Sequence, residues 1–187
     1  MKPAEARELI AAAVDRGTGT WADLGAGDGT FTLALASLLE SGSRVFAVDR
    51  DRRALAELAR KARDSKVTVI PLVADFTKPF EWPGLGDERL DGMLFANALH
   101  YVKDPASLLH RLVARLKSGG RVIVVEYDHR RANPWVPYPI SSADLPTIAK
   151  AAGLSVPEEI ARRPSAFGGD LYVVRMDRST GLSVSPS

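Results

Sequence analysis

The sequence predicts an α/β chain built as a doubly wound, mostly parallel sheet. Three observations carry this. The stretch Asp23-Leu24-Gly25-Ala26-Gly27-Asp28-Gly29 joins an extended segment, Thr20-Trp21-Ala22, to an apolar helical pattern from Phe31 to Leu39. Strand and helix patterns then alternate along the chain, as crossover units require. Finally, Pro71 interrupts the apolar run Val69-Ile70-Pro71-Leu72-Val73. Proline cannot donate to a ladder, so this third strand belongs at a sheet edge, which it is in the order 3-2-1-4-5.

The elements follow in order. Ala4–Arg16 is a charged amphipathic helix, without the features of a signal peptide. The first strand starts at Thr20, and the helix after the glycines runs from Thr30 to Glu40. Arg44–Asp49 is a short apolar strand ending in an acid, and Asp51 is placed to cap a helix over Arg52–Arg63. Val67–Val73 and Asp91–Ala96 are strands three and four. Asp104-Pro105 reads as an N-cap followed by proline at the first helical position. In the helix Pro105–Leu116, Leu109, Leu112, Val113 and Leu116 share one face, with Gly119 expected as its left-handed cap. Val122-Ile123-Val124-Val125, inside the strand Arg121–Glu126, has the continuous apolar character of a strand covered on both faces. A last helix spans Ser142–Ala152. Leu154–Arg163 and Asp170–Met176 are extended with no helix between them, and the glycine-containing connection from Pro164 to Gly169 predicts a hairpin. The tail Arg178–Ser187 is polar and expected to be disordered.

Composition bounds the function. The 187 residues, 45% hydrophobic, suit one domain over residues 1–177. No apolar run is long enough to cross a membrane. Cysteine is absent, which excludes disulfides, thiolate metal sites, cysteine nucleophiles and cysteine-held iron–sulfur clusters. A cytoplasmic address is expected by default. The net charge of +2 argues against nucleic acid as a partner.

The glycine stretch points to a nucleotide-type cofactor. Its glycines allow a tight turn and let a ligand approach backbone amides at the helix start. The spacing is G-x-G-x-G rather than the dinucleotide G-x-G-x-x-G. Asp23, two residues before the first glycine, would repel a pyrophosphate but could orient an ammonium group. Asp49 follows the glycine strand by about twenty-five residues, close to the interval for a ribose-binding acid; helix capping by Asp49 or Asp51 is compatible with this.

These residues resemble motif I of the class I, Rossmann-like, S-adenosylmethionine (SAM) dependent methyltransferases. Asp91-Gly92-Met93-Leu94-Phe95-Ala96-Asn97-Ala98-Leu99-His100-Tyr101 is similar to the fourth-strand motif of their small-molecule branch. The resemblance covers Trp21 to Met176. It implies a seven-stranded sheet of order 3-2-1-4-5-7-6 with strand 7 antiparallel, and SAM as cofactor with no metal. It also implies a cofactor site of Asp23, Gly25, Ala26, Gly27, Gly29, Asp49, Arg50, Asp75, Phe76 and Asn97. Asp75 would meet the adenine amino group, Phe76 would flank the base, and Asn97 would lie beside the methyl group. The Asn-Pro-Pro-aromatic signature of amino-directed nucleic-acid methyltransferases is missing.

Methyl transfer needs alignment and water exclusion, and a base only when the acceptor must lose a proton early. His100 and Tyr101 are the first catalytic candidates, followed by Glu126, Tyr127 and His129; the alternative for His100 is packing or capping. His110 is expected to be structural or on the surface. The loop from His129 to Ile140 is the candidate substrate lid, with Arg130 and Arg131 for an anionic acceptor and Trp135 and Tyr138 as aromatic walls. The alternative is a rigid connector. Arg162 and Arg163 read as a solvated face. The expected function is methyl transfer to a small molecule. The rivals are an RNA or protein methyltransferase and a SAM-binding module without catalysis.

Overall fold

The computed structural model describes residues 1–128, 131–165 and 169–179. Its sheet has seven strands in the order β3-β2-β1-β4-β5-β7-β6. These are β1 Thr20–Leu24, β2 Arg44–Asp49, β3 Thr68–Val73, β4 Leu90–Ala96, β5 Leu116–Tyr127, β6 Glu158–Pro164 and β7 Asp170–Asp177. The first five pair in parallel. β7 runs antiparallel to both β5 and β6. Pro71 lies on the edge strand opposite Ala47, where a missing donor breaks no inner ladder.

The helices are α1 Pro3–Ile10, α2 Thr30–Leu38, α3 Arg52–Lys61, α4 Pro105–Val113 and α5 Leu145–Ala152, with a single 3-10 turn at Leu99–Tyr101. Val122, Ile123, Val124 and Val125 are completely buried because helices cover both faces of β5. One core layer packs α4 and α5 against the sheet, and the other packs α1 and α2. Asp51 caps α3 by accepting from the Arg53 and Ala54 amides at 2.8 and 3.1 Å. Asp104 caps α4 through the Ser107 amide at 3.0 Å.

Several boundaries differ from the sequence expectation. α1 ends at Ile10, and an Ala13 N–H to Ile10 C=O turn then buries Ala13 and Val14 against α2. α4 stops at Val113 because Leu116 is taken by the sheet, opposite Leu90. Gly119 is left-handed (φ 72°), but it turns the irregular start of β5 rather than capping a helix, and its amide donates to Arg178 C=O. α5 starts at Leu145, since Asp144 Oδ2 accepts from the Ser141 amide and hydroxyl and holds that segment as a turn. β6 starts at Glu158, after Pro157; Leu154 makes only an isolated bridge to Arg178. The tail from residue 180 lies outside the described residues.

Candidate functional site

The carboxyl ends of β1, β2, β4 and β5 meet at the glycine turn, the place where open α/β sheets accept ligands. Gly25, Gly27 and Gly29 all have positive φ, at 87°, 52° and 88°. A Cβ on Gly29 would lie 2.2 Å from Leu58 Cδ1, and one on Gly25 would lie 2.7 Å from Ala98 Cβ. A Cβ on Gly27 would meet nothing within 4 Å. The outer two glycines therefore let the turn pack onto α3 and the start of the 3-10 turn, while the middle one borders open space.

Asp49 is tied into this turn. Its Oδ2 accepts from the Gly27 amide at 2.8 Å and its Oδ1 from the Asp51 amide at 2.8 Å. Each oxygen keeps a second acceptor position. Gly25, Asp49, Arg50, Asp75, Phe76, Asn97, Ala98 and Tyr101 line a cleft of about 340 Å³, within the range of small-molecule sites. Asp75 has one oxygen committed to the Thr77 amide and hydroxyl, at 3.0 and 2.6 Å. The Thr77 hydroxyl bond lowers its pKa, with help from the amide bond and from Arg50 and Lys78, so it stands ionised. Phe76 is buried edge-on against Phe95.

A second cleft of about 290 Å³ lies on the other side of the turn, lined among others by Met1, Asp23, Gly27, Phe31, Asn97 and Tyr127. Asp23 is only 1% exposed. Its Oδ2 accepts from Thr32 Oγ1 at 2.6 Å. Burial raises its pKa to about 7 against the pull of that hydrogen bond, with a further rise from Asp49. Asp23 Oδ1 and Asn97 Oδ1 are the two buried side-chain polar atoms without a hydrogen-bond partner among the described residues. Asn97 is also the one non-glycine described residue with positive φ, at 53°. Such strain collects at functional sites.

The third part is His100, on the 3-10 turn after β4. It is 4% exposed, and Glu126 at the end of β5 is 2% exposed. His100 Nδ1 lies 2.8 Å from Glu126 Oε2. Glu126 Oε1 accepts from the Leu99 and His100 amides at 3.0 and 3.2 Å. A carboxylate at this position can only accept. Nδ1 therefore carries the proton, and in the neutral ring Nε2 is left as an acceptor. His100, Tyr101, Tyr127, Asn133, Trp135 and Asn97 share a more open cleft.

Residues 22–124, more than half of the chain, match the model of the methyltransferase domain family. The chain belongs to that family. It is 32% identical over 148 residues to a demethylmenaquinone methyltransferase of Clavibacter sepedonicus, covering 78% of this chain and 54% of that one. The chain thus spans about half the length of that curated relative. Among solved structures it resembles the YcgJ protein of Bacillus subtilis, with a TM-score of 0.73 at 13% identity over 95% of this chain and 100% of that one. It also resembles the 1,6-didemethyltoxoflavin-N1-methyltransferase of Burkholderia thailandensis, with a TM-score of 0.71 at 23% identity over 95% of this chain and 78% of that one. That structure holds 1,6-didemethyltoxoflavin and S-adenosylhomocysteine. These structural likenesses show the methyltransferase fold, including its antiparallel seventh strand.

Within this methyltransferase domain, the residues expected around the cofactor come together about the glycine turn. The expected lid does so only in part. Trp135 lines the His100 cleft while remaining 79% exposed. Tyr138 is exposed, and its amide donates to the His100 carbonyl at 2.9 Å, which pins the loop without making Tyr138 a wall of that cleft. Arg131 is exposed. His129 and Arg130 lie outside the described residues. His110 is on the surface of α4.

The reading of Arg162 and Arg163 as a solvated face holds only in part: Arg162 is exposed but held by ion pairs, and Arg163 is half-buried. Arg162 pairs with the buried Asp128 at 2.8 Å and with Glu159 at 2.7 Å. Asp128 also accepts from the Ser142 amide and hydroxyl at 3.1 and 2.7 Å, joining β5, β6 and the segment before α5. Arg163 is half-buried and lines a further cleft with Tyr127. Sequence reasoning also missed the Thr32 support of Asp23 and the Glu126–His100 pair. An acid closing the wholly apolar run of β5 was the available signal for the pair.

Proposed function

We propose that the chain is a SAM-dependent methyltransferase acting on a small-molecule acceptor. The observation that carries this is the pair of buried oxygens without a partner among the described residues, Asp23 Oδ1 and Asn97 Oδ1, on the glycine-turn cleft. Buried polar atoms ask for a donor, and a carboxyl pushed up to about 7 is relieved by a cation. An ammonium group answers both; a pyrophosphate answers neither.

In this reading Gly25, Ala26, Gly27 and Gly29 wrap the amino-acid end of SAM, with Asp23 on its ammonium. Asp49 accepts from the ribose hydroxyls beside the Gly27 amide. Arg50 borders the same cleft, and Asp75 and Phe76 meet the adenine. Bound SAM supplies a methyl carbon on a positively charged sulfur, which leaves as a neutral thioether. The protein's own work is to align the acceptor and exclude water. Asn97, Tyr101 and Trp135 border the approach. His100, held by Glu126, can take a proton at Nε2 from an acceptor that must lose one. The aromatic lining supports a small, ring-bearing acceptor, and the small net charge of +2 speaks against nucleic acid. A single catalytic domain over residues 1–177 and a cytoplasmic address are part of the same proposal. Both core layers pack on the same sheet, which supports one domain, and no helix among the described residues is long and apolar enough to cross a membrane.

Calorimetry with S-adenosylhomocysteine and with NAD tests the cofactor, and release of S-adenosylhomocysteine from SAM across a metabolite panel tests turnover. Binding of S-adenosylhomocysteine but not NAD is expected. NAD binding without S-adenosylhomocysteine binding would overturn the assignment.

A further inference from the structure

We propose that Arg163 anchors an anionic group of the methyl acceptor, which makes the acceptor an amphiphile with an apolar body and a carboxylate or phosphate at one end. The word acceptor rests on the methyltransferase reading; the anion site itself does not.

Six arginines are half-buried among the described residues: Arg44, Arg111, Arg121, Arg163, Arg175 and Arg178. Five end on protein oxygens. Arg44 meets Glu88, Arg121 meets Asp15 and Asp177, and Arg175 meets Glu158. Arg111 donates to the Phe76 and Lys78 carbonyls, and Arg178 to that of Leu116. The Arg163 guanidinium has no hydrogen bond or ion pair among the described residues. Partial burial removes water from a guanidinium, and that loss is normally made good by a partner. Glu5 lines the same cleft, yet its carboxylate accepts from the Lys2 amide at 3.1 Å and forms no ion pair with Arg163.

The placement fits an acceptor. β6 alternates its faces, so Arg162 goes to the Asp128 network while Arg163 faces the opposite way. Tyr127, Pro164 and Leu171 give the Arg163 cleft apolar walls. Tyr127 and Met1 border both this cleft and the glycine-turn cleft. Tyr127 also borders the His100 cleft. The three therefore adjoin at Tyr127, and a molecule presenting its reacting atom near Asn97 and His100 can extend past that ring toward Arg163. A guanidinium matches the planar, two-oxygen geometry of a carboxylate or phosphate.

The test uses the whole chain saturated with S-adenosylhomocysteine. Calorimetry compares 4-hydroxybenzoate and phenyl phosphate with the uncharged 4-hydroxybenzamide. At least one anion should bind about tenfold or more tighter than the amide, and which anion wins names the group. Arg163→Gln should abolish the preference, and Arg163→Lys should keep part of it. S-adenosylhomocysteine affinity should stay within about twofold of wild type in both. In the wild-type chain the Arg163 Nε–H resonance should shift on adding the preferred anion, a readout that needs no variant to fold. Equal binding of anions and amide, or a preference that survives Arg163→Gln, overturns the proposal. If anions bind through Arg163 but S-adenosylhomocysteine does not bind at all, the methyltransferase reading falls and the anion site stands.

Discussion

The two halves of the cleft are built in different ways. On the β1–β3 side, the groups proposed to hold the cofactor are fixed largely by backbone. Gly27 and Asp51 donate amides to Asp49, and three left-handed glycines shape the turn. On the β4–β5 side, the groups are side chains from distant parts of the chain: His100 meets Glu126, and Tyr127 lies between clefts bordered by Trp135 and Arg163. A cofactor common to many enzymes can be held by geometry that any sequence with the right glycines can make. An acceptor is particular to one enzyme, and its recognition falls to side chains that vary without disturbing the turn.

If the halves are separate in function, substitutions should separate too. The largest effect is expected on the acceptor side. His100→Ala should lower turnover by roughly 10²–10⁴-fold at neutral pH if a proton must leave the acceptor, with S-adenosylhomocysteine affinity unchanged. Glu126→Gln should reproduce much of that loss and alter the pH profile of kcat, because the amide no longer enforces the Nδ1–H tautomer. A mild loss in His100→Ala would mean that alignment alone drives the reaction.

Asp49→Ala is the matching test of the cofactor side. It removes the proposed acceptor for two ribose hydroxyls as well as the carboxylate that the Gly27 and Asp51 amides donate to. Binding of S-adenosylhomocysteine should weaken by about 2–4 kcal/mol, read by calorimetry. An unchanged affinity would break the assignment of this half.

Asp23 gives a pH-dependent test. Its folded pKa of about 7 lies above its ordinary value of 3.8. Between these values the folded state keeps a proton that the unfolded state has lost, so the Asp23 contribution to stability falls as pH rises from about 4 to about 7 and is level above that. A ligand ammonium favours the ionised form, so affinity for S-adenosylhomocysteine should rise by up to about tenfold from pH 6 to pH 8. Asp23→Asn should flatten both dependences. Affinity that falls over this range in wild type would remove Asp23 from the ammonium.

The smallest expected change in binding and stability is from Trp135→Ala. The side chain is 79% exposed, so unfolding free energy should move by less than about 0.5 kcal/mol and cofactor affinity should hold. Turnover should drop through a raised KM for the acceptor. Equal weakening of S-adenosylhomocysteine binding would place this loop on the cofactor instead.

Much of the cofactor half was legible in the chain alone because its information is local. A strand, a glycine turn and a helix start are consecutive in sequence, and Asp51 and Asp104 cap helices that begin at the next residue. Pro71 stated its own place at the edge, since a residue without an N–H cannot serve an inner ladder. Helix ends were less legible. Leu116 fits the apolar face of α4 as well as the sheet, and its pairing with Leu90 decides between them.

The sequence by itself determined the edge place of β3, the hairpin that ends the sheet and the left-handed conformation of the glycine turn, all of which follow from backbone rules acting over a few residues. Only the tertiary structure decided that Glu126 holds His100, that Arg162 is consumed by Asp128, and that Arg163 faces a cleft without a partner among the described residues. The physical reason is distance along the chain. Glu126 is 26 residues from His100, and Arg162 is 34 from Asp128. Adjacent arginines on a strand look alike in sequence, but the pleat sends them to opposite faces, and what waits on each face is set by the rest of the fold.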